Sequence, residues 1–205
     1  MLVTTTHLEQ TAPEQLVPGS RPLPPGSRIE QVRRISPEFS KFLYRSVGSG
    51  WNWSDRLALT RAQWDEVLRT PGVETWVLWV EGSPAGYVEL MGRPGAAGTE
   101  VKIVYFGLFP EFIGEGFGGA LLTEGIQQAW QLDTRWERFA PVNRVWVHTC
   151  SLDGPSALAN YQARGLQIFK SEEEVIEPLD TSGGLWPETG PMESTGSARE
   201  LPVEA

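Results

Sequence analysis

Six residues, Gly114-Glu115-Gly116-Phe117-Gly118-Gly119, stand where an apolar run gives way to a helical pattern. Ahead of them Val101, Ile103, Val104, Tyr105, Phe106 and Leu108 read as a buried strand, ended by Pro110, which cannot donate to a ladder. Behind them Leu121, Leu122, Ile126 and Trp130 recur at helical spacing. Strand, glycine loop and helix together suit the binding of a phosphate. The first amides of a helix have no partner within it, the helix dipole favours an anion there, and glycines let ligand oxygens reach the backbone. Successive amides pointing into one hollow form an anion nest. The loop lacks the Lys-Ser/Thr pair that a nucleoside triphosphate loop places after its glycines. The dinucleotide fingerprint also fits poorly: Gly119 stands three residues after Gly116, but no ribose-reading acid follows at the set spacing.

The elements that would position this loop can be read in chain order. Residues 29–35 alternate and predict a first strand. Ser36 caps a helix with Pro37 at its first position, running to Val47 with Phe39, Phe42 and Leu43 inward. Thr60 caps a second helix, to Thr70, with Trp64, Val67 and Leu68 apolar. Between the two helices Trp51, Trp53, Asp55 and Arg56 gather in one loop. That loop either walls an acceptor site, or its tryptophans seal the core while Asp55 pairs with Arg56 or a backbone amide. Residues 74–81 and 84–91 form a hairpin turning at Gly82-Ser83. Three antiparallel strands, a glycine-started helix to about Leu132 and a strand over residues 145–150 predict an α/β fold with a mixed sheet. Gly107, inside an otherwise bulky strand, is the expected place for a bulge. Asp153, with Pro155 behind it, is the expected N-cap of a last helix. A closing strand then begins at Leu166 and continues toward Ile176.

Composition narrows the partners. The 205 residues are enough for one well-filled domain. The net charge of −9 argues against nucleic acid, which needs a basic face. Nine acidic residues and Arg199 after Lys170 carry nearly all of that charge, leaving the body almost neutral. Cys150 is the single cysteine, so no intrachain disulfide forms and a reducing, cytoplasmic setting is expected. It reads as a small buried hydrophobe rather than a nucleophile. No basic segment precedes an apolar run at the N-terminus and no window reaches the ~20 apolar residues of a span, so neither a secretory signal nor membrane insertion is expected. His148, central in a strand, reads as a satisfied core histidine. No group of Cys, His and carboxylates has metal-ligand spacing.

The order Pro110-Glu111-Phe112, Ile113-Gly114-Glu115-Gly116-Phe117-Gly118, then Gly119-Ala120-Leu121-Leu122 resembles motif A of the GNAT superfamily, the acyl-CoA-dependent N-acetyltransferases. The family pattern is Gln/Arg-x-x-Gly-x-Gly/Ala at a helix start, after a strand ending in a Pro-Glu-aromatic step. Gly116 and Gly118 fall on its glycine positions; Ile113 departs from its Gln or Arg. Downstream, Tyr161-Gln162-Ala163-Arg164-Gly165-Leu166 is similar to the family's Tyr-x-x-x-Gly-Leu/Phe signature. The resemblance covers residues 28–178, which it makes the acetyltransferase domain. Residues 1–27 are then a proline-rich arm, lying over the domain or disordered, although residues 3–8 also read as a short strand, and residues 179–205 an acidic, disordered tail.

What the resemblance implies is specific. The sheet is mostly antiparallel with one parallel, splayed strand pair, flanked by helices. Acetyl-CoA is the acyl donor, held by Leu108, Phe109, Ile113, Gly114, Glu115, Gly116, Phe117, Gly118 and Gly119, with no metal. A backbone amide of Leu108 or Phe109 polarises the thioester carbonyl. Tyr161 matches the family's general acid, and Glu89, with Glu100 as its rival, is the carboxylate placed to act as base through water. The acceptor is a primary amine of a small molecule or peptide; Trp51 and Trp53 would suit an apolar or a cationic one. Many relatives pair, which leaves a homodimer open. A catalytically silent acyl-CoA-binding regulatory module, or a nucleotide-binding regulator using the same loop, are the competing readings.

Overall fold

Long β-branched and aromatic runs make the middle of the sheet. In the computed structural model, which describes residues 2–51 and 53–175, β3 (Val73–Val80), β4 (Ser83–Pro94) and β5 (Thr99–Leu108) pair antiparallel in succession. The acidic tail, residues 179–205, lies outside the described residues. β6 (Val142–Cys150) runs parallel to β5, reached through α3 (Phe117–Trp130) and the short α4 (Leu132–Arg135), the long crossover a parallel pair needs. β2 (Ser27–Gln31) borders β3; β1 (Leu2–Gln10) and β7 (Gln167–Val175) complete the opposite side. The order is β2-β3-β4-β5-β6-β1-β7, with β5 and β6 the one parallel pair among neighbours. Among the described residues, no helix is long and apolar enough to cross a membrane.

Helices cover both faces. α1 (Pro37–Gly48) and α2 (Arg61–Arg69) start at the expected caps: the Ser36 hydroxyl accepts from the Phe39 amide and Thr60 from that of Gln63. They bury Leu43, Tyr44, Val47 and Trp64 against Val77, Tyr87 and Tyr105. Phe42, expected inward, is 46% exposed, because the buried stripe runs through positions 40, 43, 44 and 47 and leaves it at the margin. On the other face α3 and α5 (Ala157–Ala163) pack Leu121, Leu122, Ile126 and Tyr161 on Val88, Leu90, Ile103 and Val147.

Three other expectations are corrected. Residues 2–10 do not lie over the domain as an arm; they form β1, hydrogen-bonded between β6 and β7. Burying Val3, Leu8 and Gln10 gives this strand its place, and Gln10 ties it to two helices: its amide donates to the Arg164 carbonyl (2.8 Å) and accepts from the Trp130 indole (2.9 Å). The β3–β4 turn falls at Glu81-Gly82, one residue earlier than expected. Both residues have positive φ (48° and 94°), the conformation that matches the twist of a tight hairpin.

The third concerns the bulge in β5, which lies at Val104 and not at Gly107. Glu89 pairs with Tyr105 and Leu90 with Ile103, so Val104 is the extra residue. One inserted residue reverses which side chains face which layer. Val101 and Ile103 pack toward α3, whereas Tyr105 packs toward α1. Gly107 serves closeness instead: a Cβ there would overlap Val47 Cγ1 of α1.

Candidate active site

The bulge marks where the sheet opens. β5 and β6 pair from Thr99 and Val142 as far as Ile103 and Val147, and beyond that register they part. The gap is the mouth of a cleft of about 1040 Å³, lined by both parted strands, the glycine loop, α5 and the α1–α2 loop. Amides on an antiparallel strand alternate between its two neighbours. The Phe109 amide donates to the Ala85 carbonyl (2.9 Å), so the Leu108 amide points the other way, to the side β6 has left. The Phe109 amide is therefore already engaged, and the Leu108 amide faces the gap.

At the far side of this gap α3 begins. Gly116 is its N-cap at φ 93°, a left-handed conformation that glycine adopts without cost, and no side chain caps the helix. The amides of Phe117, Gly118 and Gly119 therefore face outward unpaired, at the positive end of the helix dipole. Ile113, Gly114, Gly116, Gly118, Gly119 and Leu108 line the cleft. Phe109, Glu115 and Phe117 do not: the Phe117 ring is buried against Phe112, and Glu115 is exposed outside. An uncapped helix start with open space at Gly114, where a Cβ would meet nothing within 4 Å, has the chemistry and the room for a diphosphate.

Tyr161 sits on α5, on the cleft wall, 5% exposed, with its ring edge on Phe106. Burial, reinforced by Asp153, raises its pKa, so the phenol keeps its proton at neutral pH. Asp153 itself does not cap α5, whose N-cap is Ser156. It accepts from the Thr149 hydroxyl (2.7 Å) and the Cys150 amide (3.0 Å), closing the turn after β6. Cys150 is half-buried on the cleft wall, and burial pushes its thiol pKa up, away from thiolate reactivity.

The carboxylates are arranged differently from the sequence expectation. Glu89 is buried and held by Arg56 in a two-pronged ion pair, Nη2 at 2.6 Å and Nη1 at 3.0 Å, and it does not line the cleft. Glu100 pairs with Arg144 at 3.0 Å. Among the described residues three carboxylates line the cleft: Asp153, engaged in the turn after β6, Glu174 of β7, and Asp55, which accepts from the Tyr44 hydroxyl (2.8 Å) and from that of Tyr105. Burial, before any other cause, raises both phenols' pKa and keeps them as donors. Asp55, Lys102, Val104 and Tyr105 also line a second cavity of about 480 Å³, which they separate from the cleft. Burial lowers the Lys102 pKa, and its ammonium lies 4.9 Å over the Trp146 ring.

His148 is likewise corrected. It faces the cleft rather than the core, because Val145, Val147 and Thr149 take the buried side of β6. Although the residue is exposed within the cleft, partial desolvation of its ring, then Lys102 and His7, lower its pKa to about 4. The alternation of β6 carried the signal for this: His148 is out of phase with the apolar residues on either side. Asp55 carried a signal too, in the loop it shares with Trp51 and Trp53: all three line the cleft, while Arg56 of the same loop turns inward to Glu89.

A mixed sheet parted at its one parallel pair, beside a glycine-started helix, is the GNAT fold. The chain matches the model of the acetyltransferase (GNAT) family over residues 33–165 and belongs to that family. A GCN5-related N-acetyltransferase from Sphaerobacter thermophilus shares the fold with a TM-score of 0.56 at 16% identity, over 83% of this chain and 50% of the other. One from Kribbella flavida gives 0.54 at 15% identity, over 83% and 56%. An aminoglycoside acetyltransferase from an uncultured soil metagenomic sample gives 0.50 at 16% identity, over 68% and 87%. The chain spans about half the length of the first two structures. No curated protein matches the sequence.

Proposed function

We propose that this protein is an N-acetyltransferase that moves an acetyl group from acetyl-CoA to a primary amine, by direct attack with both substrates bound. The observation that carries this reading is the end of β5–β6 pairing at Ile103–Val147, which opens one cleft from the uncapped start of α3 to the Tyr161 phenol. Acetyl-CoA supplies an activated thioester. The amides of residues 117–119 hold its diphosphate, and the Leu108 amide donates to the carbonyl oxygen as negative charge builds there. Asp55, held by two phenol donors, draws the acceptor's ammonium into the cleft. His148, unprotonated at neutral pH, relays to solvent the proton that the ammonium must lose before its nitrogen can attack. As the carbon–sulfur bond breaks, Tyr161 gives its proton to the departing thiolate and is reprotonated by the one the nitrogen loses on becoming an amide. Glu89 takes a positioning role here: it anchors Arg56, whose guanidinium lies 4.6 Å over the Tyr105 ring, and so steadies the Tyr105–Asp55 contact. The lone Cys150 fits a reducing cytoplasm.

Isothermal titration with acetyl-CoA, ATP and NAD is the first test, with micromolar binding of acetyl-CoA alone expected. A thiol-release assay over a panel of amines then separates turnover from silent binding. Binding without release from any amine would favour a regulatory module.

A further inference from the structure

Two guanidinium groups stand at the positive end of α3. Arg21 belongs to the stretch joining β1 to β2, and Arg164 follows α5. A Cβ built on Gly116 would lie 3.6 Å from Cδ and Nη1 of Arg21, and one on Gly119 would lie 2.6 Å from Nη1 of Arg164. Neither side chain makes an ion pair or hydrogen bond with another described residue, although Glu111 and Glu115 belong to the same loop. The Arg164 Nε is buried without a hydrogen-bond partner among the described residues. Buried donors are nearly always satisfied, and cations are favoured at the opposite end of a helix. Two unpaired guanidinium groups beside unpaired amides make sense when an anion joins them.

The backbone between β1 and β2 is held for this task. The Val17 amide donates to the Arg164 carbonyl (3.1 Å) and the Gly19 amide to the Thr123 hydroxyl of α3 (3.0 Å), which delivers Arg21 to the loop. At the position where the family's motif has a Gln or Arg, this chain has the apolar, exposed Ile113.

We propose that Arg21 and Arg164 bind a phosphate of the coenzyme, so that the segment between β1 and β2 is part of the coenzyme site. This rests on the acetyl-CoA reading above and goes beyond it by naming two side chains outside the glycine motif. The full chain and its Arg21→Ala, Arg21→Glu and Arg164→Gln variants are titrated with CoA, 3′-dephospho-CoA and pantetheine. Arg21→Ala and Arg164→Gln are expected to weaken CoA binding about three- to tenfold, and Arg21→Glu more, with pantetheine binding and the ligand-free melting temperature of the Arg21 variants unchanged. A loss shared by 3′-dephospho-CoA puts the contact on the diphosphate; a loss confined to CoA puts it on the ribose 3′-phosphate. Either supports the proposal. CoA affinity unchanged in the Arg21→Ala and Arg164→Gln variants overturns it while leaving the acetyl-CoA reading standing, as does an equal loss for pantetheine. Failure of the unaltered protein to bind CoA removes both.

Discussion

At the α3 end of the cleft the groups offered to a ligand are backbone amides from three consecutive residues, 117–119, set by two left-handed glycines. At the other end they are side chains, Asp55, Lys102, Tyr105 and His148, brought from a loop and two strands that are distant in the chain. The first end depends on backbone conformation and is indifferent to most side chains. The second depends on how α1, β4, β5 and β6 pack, so each of its groups is only as well placed as its supports. Glu89 and Asp55 show the contrast within one layer. One carboxylate is sealed by an arginine inside the fold; the other is gripped by two phenols and left facing the cleft.

The largest expected effect is at the junction of the two ends. Tyr161→Phe should lower kcat by about 10²- to 10⁴-fold, with coenzyme affinity and melting temperature nearly unchanged; a full-rate variant would remove the phenol from the mechanism. Next is Glu89→Ala, which leaves a buried guanidinium unpaired. A loss of about 3–5 kcal/mol in urea unfolding is expected. A stable but inactive variant would instead make Glu89 a base. Gly116→Ala should strain the left-handed N-cap by about 1–2 kcal/mol and weaken CoA, while Ile113→Ala, in the same loop, changes little. Equal effects of the two would break the view that this end is a backbone site.

The smallest effect concerns His148 and pH. Its pKa falls from the ordinary 6.5 to about 4 on folding, so between those values the unfolded chain binds more protons than the native one. Its contribution to stability is present above pH 6.5 and is lost as pH falls toward 4. His148→Gln should flatten the stability profile in that window, as thermal melts at pH 7, 5.5 and 4.5 would show.

The two ends also differ in how far they could be read in advance. Strand, proline, glycine loop and helix are local signals, and Pro110, Gly116 and the apolar stripe of α3 are where they were expected. So are the caps at Ser36 and Thr60. The bulge at Val104 was not readable, because an inserted residue changes pairing with a neighbour and leaves no mark in composition; Gly107 drew attention for an unrelated close approach to Val47. Nor was the place of β1, since which strand fills the space between β6 and β7 is a competition among distant segments.

From its order of residues alone this chain determines a helix that must begin at a glycine with its amides bare, since propensity, capping and φ act within a few residues. Which carboxylate faces the cleft, which arginines flank that helix start, and where the sheet parts were decided only by tertiary structure. Those outcomes depend on register, burial and the pairing of charges far apart in the chain, and these exist only once the layers have packed.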